Sequence, residues 1–335
     1  MSQGDDARPV LVTGAGGFIG GHLVGELLER GAAVRAVDKK PLEQWFQRFE
    51  EAESLCLDLS EMEACRAASE GIGGVYNLAA DMGGMGFIEA NKALCMLSVL
   101  ITTQMLVAAR DAGAGRFFYS SSACIYPAGR QGSPEVPALR EADAYPAMPE
   151  DGYGWEKLFG ERLARHFAED FGLETRVARY HNVYGPNGSW TGGREKAPAA
   201  ICRKVAEAKL RGEGSIEIWG DGEQRRSFMY IDDCLEGTQR LMWSDVREPL
   251  NVGSSELVSI NELVEIVEGI AGVRLERRYV LDAPQGVRGR NSENSLIRAR
   301  LAWEPSIGLQ TGLEQTYRWI HAQMTGRRAD VAVAG

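Results

Sequence analysis

Apolar residues along this chain switch repeatedly between two periods. Residues Pro9 to Thr13 (PVLVT) form a short β-rich run. A glycine cluster follows, then an amphipathic stretch from about Ile19 to Arg30 that predicts a helix ended by Gly31. Ala33 to Val37 predicts a second strand, completing a βαβ unit of about 30 residues, the size of one crossover. The alternation continues with a strand at Val75–Ala79, a long helix from about Ala90 to Ala112, a strand at Arg116–Ser122, a helix at Tyr153–Phe171 and a strand at Thr175–Tyr180. Strands alternating with helices imply an α/β fold with a parallel, doubly wound sheet of Rossmann type. The pattern loosens from Val183 to Arg226, where glycine and proline are frequent and one helix is expected at about Ala197–Arg211. Phe228–Asp233 (FMYIDD) returns to the first style, and from Glu256 shorter elements predict a second lobe. The last residues, Gly326 to Gly335, read as a frayed, flexible tail.

Composition narrows the function classes. The chain has 335 residues, 44% hydrophobic and 25% charged, enough for a sizeable core. Its net charge of -10 argues against a general nucleic-acid binder, which needs a basic surface, but not against a nucleotide ligand. The six cysteines (Cys56, Cys65, Cys95, Cys124, Cys202 and Cys234) are scattered, with no CxxC pair and no His/Cys cluster, so no metal site is expected. Reduced thiols in a cytoplasmic protein are the simplest reading. The polar, acidic N-terminus does not read as a signal peptide, and no apolar run is expected to be long enough to span a membrane.

The glycines Gly14, Gly17 and Gly20 fall between the first strand and the first helix, in Gly14-Ala-Gly-Gly17-Phe18-Ile19-Gly20. Glycine there allows a tight turn and close approach of backbone to a pyrophosphate, while the helix N-terminus supplies N–H groups and the positive end of its dipole. Asp38 closes the second strand about 20 residues on, where an acid binds the adenosine ribose 2′-OH. Its charge would repel the 2′-phosphate of NADP, so NAD is the expected cofactor, with the following Lys39 and Lys40 working slightly against that preference. Asp58 is a candidate cap for the adenine amino group.

Tyr153 and Lys157 stand four residues apart in one predicted helix and so share a face. A free tyrosine titrates near ~10, and a neighbouring cation is expected to lower that value, so that the phenol can take a hydroxyl proton as hydride leaves for a nicotinamide. Ser122, ending the strand before it, is the natural partner for the substrate oxygen.

The glycine pattern, Asn77-Leu78-Ala-Ala80, the serine run and Tyr153/Lys157 together resemble the extended short-chain dehydrogenase/reductase family, over nearly the whole chain. The resemblance implies a larger N-terminal Rossmann domain with tightly held NAD, contacted by Leu78 and Ala80 as well as the glycine loop. It also implies a smaller C-terminal α/β domain for a nucleotide sugar, and a homodimer. The expected division is residues 1–182 plus about 226–255 for the first domain and 183–225 plus about 256–325 for the second.

A second constellation distinguishes this chain within that family. Cys124 lies two residues past Ser122, and alternate residues of an extended chain share a side. Lys196 lies in the polar loop Gly192-Gly-Arg-Glu-Lys196-Ala-Pro198. Alone, each has an ordinary structural reading, a small buried thiol and a solvated lysine. A thiol and an amine on opposite faces of a sugar ring can also act as base and acid, inverting a carbon that an adjacent ketone has acidified. Five strings are similar to the GDP-mannose 3,5-epimerase group of the family: Ala80-Asp-Met-Gly-Gly-Met-Gly-Phe87, Ser-Ser-Ala-Cys124-Ile-Tyr-Pro, His181-Asn-Val-Tyr-Gly-Pro186, the Lys196 loop and Gly286-Val-Arg-Gly-Arg-Asn-Ser292.

By that resemblance Tyr153, Lys157 and Ser122 handle oxidation at C4, and Cys124 and Lys196 exchange protons at C3 and C5. Gly83, Gly84 and Met85 line the sugar pocket, and Asn182 donates to the diphosphate. Arg226 and either Arg288 or Arg290 clamp the phosphates, since arginine recognises phosphate bidentately. The pattern departs from the group at Ser98 and Val99, where asparagines are expected. Two rivals differ in sequence. A 4,6-dehydratase places Asp-Glu after the active-site serine or threonine, where this chain has Ala123-Cys124. A non-catalytic NAD-sensing module would be expected to lose Tyr153 or Lys157, and both are present.

Overall fold

The computed structural model describes residues 8–326. The polar N-terminal segment and all of the predicted tail except Gly326 lie outside the described residues. The first βαβ unit forms as the pattern predicts: β1 Val10–Thr13, α1 Phe18–Glu29 and β2 Val34–Asp38. It is followed by β3 Glu53–Cys56, α2 Met62–Ser69 and β4 Gly74–Asn77. The helix expected over Ala90–Ala112 is three pieces, α3 Met85–Ala90, α4 Lys92–Met96 and α5 Ser98–Asp111, with breaks at Asn91 and Leu97. Then come β5 Arg116–Ser122, α6 Tyr153–Phe171, β6 Glu174–Tyr180 and α7 Ala197–Arg211.

Strands β1–β6 and a last strand, Leu250–Val252, form one seven-stranded parallel sheet, in the order Leu250–Val252, β6, β5, β4, β1, β2, β3. Chain direction across the sheet reverses between β1 and β4. In such sheets ligands bind at the carboxyl ends of the strands beside this switch point. Both faces are covered, as a parallel sheet requires. Leu11, Val75, Phe117 and Val177 point to one face, under Met105, Leu106 and Ala109 of α5. Val10, Val12, Tyr76, Phe118 and Ala178 point to the other, under Leu23, Val24 and Leu27 of α1. That second cluster continues into Ile201 and Val205 of α7 and Leu263, Val264 and Val267 of the helix Ile260–Ala271.

Smaller sheets lie outside the main one. Ser215–Trp219 pairs in parallel with Glu276–Val280, and Arg225–Ser227 runs between Leu257–Ser259 and Gly289–Arg290. Of the expected Phe228–Asp233 strand only Met229–Tyr230 is strand. The acidic pair Asp232 and Asp233 falls in the first turn of the helix Ile231–Met242, where the dipole favours it.

One expectation is corrected. The stretch Lys92–Asp111 is long and apolar enough, by length and composition, to cross a membrane. In the fold it breaks at Leu97, and α5 buries Ile101, Thr102, Met105, Leu106, Ala108 and Ala109. These buried residues serve the sheet on that side, while Leu94, Met96, Leu97 and Leu100 stay exposed.

Candidate active site

A cavity of about 540 Å³ opens at the carboxyl ends of β1, β2, β4 and β5. One end is built mainly from backbone. Gly14 sits in the left-handed region (φ +71°), and a Cβ there would meet the Ala79 backbone at 3.0 Å. A Cβ on Gly20 would come within 2.2 Å of the Gly14 carbonyl oxygen, so α1 can pack this close to its own entry loop only with glycine at that position. Thr13 ties the neighbouring strand ends together. Its hydroxyl donates to Asn77 (2.9 Å) and accepts from the backbone N–H groups of Leu78 and Ala79, both at 3.1 Å. Gly14, Gly17, Phe18, Ile19, Gly20, Leu78 and Ala80 all line the cavity. A glycine cradle at a helix N-terminus fits a pyrophosphate.

Asp38 and Asp58 also line this end. Asp38 accepts from the Lys40 backbone N–H at 3.0 Å, while the two lysine side chains turn elsewhere: Lys39 to Asp81 (2.7 Å) and Lys40 to the Gly16 carbonyl (3.2 Å). Neither ion-pairs with Asp38, which leaves its carboxylate free to accept from ribose hydroxyls. Asp58 accepts from the Ser60 N–H (2.9 Å), and hydrogen bonding from Ser60 holds its carboxyl below the ordinary range. These residues fit the adenosine half of NAD.

The other end is built from side chains. Ser122, Tyr153, Lys157 and Lys196 line it together with Gly83. Ser122 ends β5 and caps the short 3-10 turn Ala123–Ile125, its hydroxyl accepting from the Cys124 N–H at 3.2 Å. Cys124 is therefore beside Ser122 because of this turn, and not because an extended chain alternates. The first turn of α6 packs on the same point. A Cβ on Gly154 would lie 2.4 Å from the Cys124 carbonyl oxygen, which places Tyr153 against the thiol.

The Tyr153–Lys157 pair differs from its expected electrostatics. Lys157 Nζ lies 5.5 Å from the Tyr153 ring centroid and 4.9 Å from that of Tyr119, but 3.6 Å from the Glu156 carboxylate. Glu156 partly neutralises the lysine in this buried spot. Burial pushes the Tyr153 phenol well above its ordinary range, Cys124 and Glu156 add to this, and hydrogen bonding with Ser122 opposes it. Burial also raises the Glu156 carboxyl, with Lys157 opposing. In this state the lysine is not among the leading influences on the tyrosine. The added cation of an oxidised nicotinamide would act to lower it.

Lys196 is the N-cap of α7, just ahead of Pro198 at its start. It is partly buried at the cavity wall, not free in solvent. Burial lowers its ammonium below the ordinary lysine range, and Cys124, within electrostatic reach, works against this. The loop carrying it rests on the Gly83–Gly84 segment: the Gly84 N–H donates to the Arg194 carbonyl (3.0 Å), and a Cβ on Gly84 would lie 2.4 Å from the Glu195 carbonyl. Gly84 and Met85 thus sit behind Gly83 and do not line the cavity, Met85 packing against Gly286.

The three arginines part company. Arg226 is buried with only carbonyl partners, those of Arg225 (2.8 Å), Gln285 (3.3 Å) and Val287, and desolvation pushes its guanidinium down to about 10. Arg288 is held by Asp221 through two bonds of 2.9 Å. Arg290 is buried, with its donors on Glu150, Gln131 and Cys124 in this structure. Asn182 takes a left-handed backbone (φ +42°), and its amide donates to the Ser227 carbonyl at 3.0 Å.

Asp81 and Arg194 escaped the sequence reading. Asp81 lies 2.7 Å from Lys39 and 3.7 Å from Arg194, which also donates to the Met82 carbonyl (3.1 Å) and stacks on Phe87 with its centroid 3.8 Å away. Ser98, at one of the departures, accepts from the Asp81 N–H at 2.9 Å and so anchors this clasp beside the cavity. The available signal was the acid directly after Asn77-Leu-Ala-Ala80.

Residues 10–253 match the model of the NAD dependent epimerase/dehydratase family. GDP-mannose 3,5-epimerase of Arabidopsis thaliana is 47% identical over 330 residues, 97% of this chain and 86% of that protein. GDP-mannose 3,5-epimerase 1 of Oryza sativa subsp. japonica is 48% identical over 97% of this chain and 85% of its own length. The crystal structure of UDP-glucose 4-epimerase with UDP-glucose from Thermotoga maritima superposes with a TM-score of 0.84 at 26% identity, covering 94% of this chain and 99% of that one. The glycine cradle, the acid at the end of β2 and the Tyr153–Lys157 pair are accounted for together: this chain belongs to the NAD-dependent epimerase/dehydratase family and is an enzyme that works with NAD.

Proposed function

We propose that this enzyme is a nucleotide-sugar epimerase that converts GDP-D-mannose to GDP-L-galactose by inverting C3 and C5, with GDP-L-gulose as the C5-only product. The observation that carries the reading is the meeting of Cys124 and Lys196, two proton carriers from distant segments, within electrostatic reach of each other beside Ser122 and Tyr153. Inversion at C4 alone would need neither. The substrate is supported by the activity named for the plant relatives, at 47% and 48% identity over almost the whole chain.

The chemistry divides among the residues. The glycine loop and Asp38 would hold NAD, which would supply a reversible hydride acceptor for C4 with no net oxidation. Ser122 holds the C4 oxygen while Tyr153 takes the hydroxyl proton and gives it back. The 4-ketone acidifies C3–H and C5–H. Cys124 removes a proton from one face of the ring and Lys196 delivers one to the other. A lysine lowered by burial gives up its proton more readily near neutral pH, which suits an acid in this role. Arg226, with no carboxylate on it, has a charge to offer the diphosphate, and Asn182 is tied to the next residue, Ser227. Arg288 is the second phosphate candidate, exchanging Asp221 for the ligand. A dehydratase reading lacks support, because Ala123-Cys124 after Ser122 offers no carboxyl pair for loss of the C6 hydroxyl.

The working unit we propose is a cytoplasmic homodimer. Leu97, Leu100, Trp155 and Phe159 leave a half-exposed apolar face on the neighbouring helices α5 and α6, which a second copy would cover. The six cysteines are all free, which suits a reducing compartment. The proposed division of labour gives residues 1–182 and about 226–255 to NAD and the remaining segments to the nucleotide sugar.

The deciding experiment incubates the pure protein with a panel of nucleotide sugars in heavy water. Deuterium at C3 and C5 of a GDP-hexose, with a new GDP-sugar formed, is the expected result. Deuterium in a different nucleotide hexose or heptose keeps the chemistry and replaces the substrate. Turnover without solvent deuterium in the ring ends the 3,5-epimerase reading.

A further inference from the structure

The arrangement around Cys124 extends past the residues that face substrate. Arg290 lies on the short strand Gly289–Arg290 and is buried. Each arm of its guanidinium has a partner. Nε donates to Gln131 Oε1 at 2.7 Å, one terminal nitrogen ion-pairs with the Glu150 carboxylate, and the other donates to Cys124 Sγ at 3.5 Å. Both braces are themselves fixed. Gln131 is fully buried and donates to the Tyr126 and Pro127 carbonyls at 3.2 and 3.3 Å. The Glu150 backbone N–H donates to the Cys124 carbonyl at 3.0 Å, closing a ring from Cys124 through Glu150 and Arg290 back to the Cys124 sulfur.

The strand itself cannot drift. Arg288 N–H donates to the Gln131 carbonyl (2.9 Å), Leu139 N–H to the Asn291 carbonyl (2.9 Å), and a Cβ on Gly289 would come within 2.3 Å of the Ser133 carbonyl. A planar guanidinium held at two corners presents its third donor in a fixed direction, which a lysine could not do.

A buried Arg–Glu pair adds little stability by itself, since desolvation offsets the attraction. What this pair does deliver is a charge-assisted donor aimed at one sulfur. A thiol is a poor base, and only the thiolate can take a carbon-bound proton. We propose that Arg290, braced by Glu150 and Gln131, is the positioning residue for Cys124, holding its sulfur as the thiolate and in place for proton abstraction. The donors of Arg290 are on Gln131, Glu150 and Cys124, so it acts through Cys124. The inference rests on the reading of Cys124 as the base.

The test uses the NAD-loaded enzyme and three variants: Cys124→Ser, Arg290→Gln and the paired Glu150→Gln/Arg290→Gln, which removes both buried charges together where Arg290→Gln alone leaves Glu150 unpaired. Two quantities are read, the pH profile of iodoacetamide capture at Cys124 and deuterium uptake at C3 and C5 of GDP-mannose. Absorbance of bound NADH reports the first half-reaction separately. In both Arg290 variants alkylation at pH 7 is expected to fall about tenfold and its profile to move to higher pH, because thiolate reactivity follows the ionised fraction. Deuterium uptake should fall ~10²-fold, the usual scale for a displaced acid–base group, while NADH still appears on adding substrate. An unmoved alkylation profile in the folded paired variant overturns the proposal. If Cys124→Ser exchanges ring protons at the wild-type rate, the assignment of Cys124 as base fails instead, whatever the Arg290 profiles show.

Discussion

The two ends of the cleft are made from different materials. At the dinucleotide end the contacts come from backbone: a glycine loop, a helix N-terminus and strand ends tied by Thr13. At the sugar end they come from side chains converging from three separate segments, Ser122 with its neighbour Cys124, Tyr153 and Lys157, and Lys196. The difference reflects what each end must do. A pyrophosphate is held by N–H groups that any sequence supplies once the turn is tight enough, so the requirement falls on glycine. Moving protons on a sugar needs particular acids and bases in particular environments, so the requirement falls on side chains and their burial.

Tyr153→Phe gives the largest effect and tests the side-chain end alone. Turnover is expected to vanish, with NAD still bound and the unfolding temperature little changed. The phenol is buried and interacts with Cys124, Glu156 and Ser122. Assays of product and of bound NAD check it. Loss of NAD together with activity would mean that the tyrosine belongs as much to the cradle as to the chemistry, and the two ends could not be separated.

Gly20→Ala tests the backbone end. The new Cβ would lie 2.2 Å from the Gly14 carbonyl, so the loop has to shift. Overpacking of this kind costs about 1–3 kcal/mol, which corresponds to ~10–100-fold weaker NAD binding if it falls on the cradle. Titration of NAD into protein stripped of cofactor measures it. Undiminished binding would show that the loop adjusts freely, against the close fit read from the structure.

Asp38→Ala probes the one side chain on which the backbone end depends. The expected result is a smaller loss of NAD affinity and a relaxed rejection of NADP, since Asp38 has no lysine on it and its charge faces the ribose site unopposed. If neither affinity changes, Asp38 is a turn residue.

Legibility in the sequence follows the same division. The sheet strands and helices carrying the site were readable from periodicity, and β5, α6 and α7 begin and end where the pattern places them. The glycine loop was readable because its requirement is local. Tyr153, Lys157, Ser122, Cys124 and Lys196 could be singled out by spacing and resemblance, but not their electrostatics. The burial that sets the charge balance at Glu156 and Lys157, and the shift of Lys196 by its surroundings, depend on packing between segments far apart in sequence. Arg288 and Arg290 could not be told apart, two residues apart in one string, until Asp221 was found on one and Glu150 and Cys124 on the other. The break of the long helix at Leu97 also went unread, since α4 and α5 are both apolar and only the packing of α5 on the sheet separates them.

The last effect is silent at neutral pH and concerns the seam beneath the sugar end. His181 follows β6 and is fully buried, its Nε2 donating to Asn251 Oδ1 at 3.0 Å, an oxygen that also accepts from Tyr126 at 2.6 Å. Burial and the nearby Arg179 push its imidazole down to about 4 from an ordinary 6.5, with the Asn251 bond opposing. The folded protein therefore keeps His181 neutral where the unfolded chain protonates it. A depressed value contributes stability that is fully present above pH 6.5 and is lost as pH falls towards 4, up to roughly 3 kcal/mol for this one group. Burial also raises the carboxyls of Glu141 and Glu156, and raised carboxyls act in the opposite direction. The informative quantity is thus the difference between wild type and His181→Gln in chemical unfolding at a series of pH values. Glutamine can still donate to Asn251 and carries no titrating ring. The wild type's advantage over the variant is expected to shrink steadily between pH 6.5 and 4 and to be constant above pH 7. Parallel curves across the whole range would mean that His181 takes up its proton in the fold as easily as outside it, and that the polar layer under Cys124 is open enough to solvate a charge.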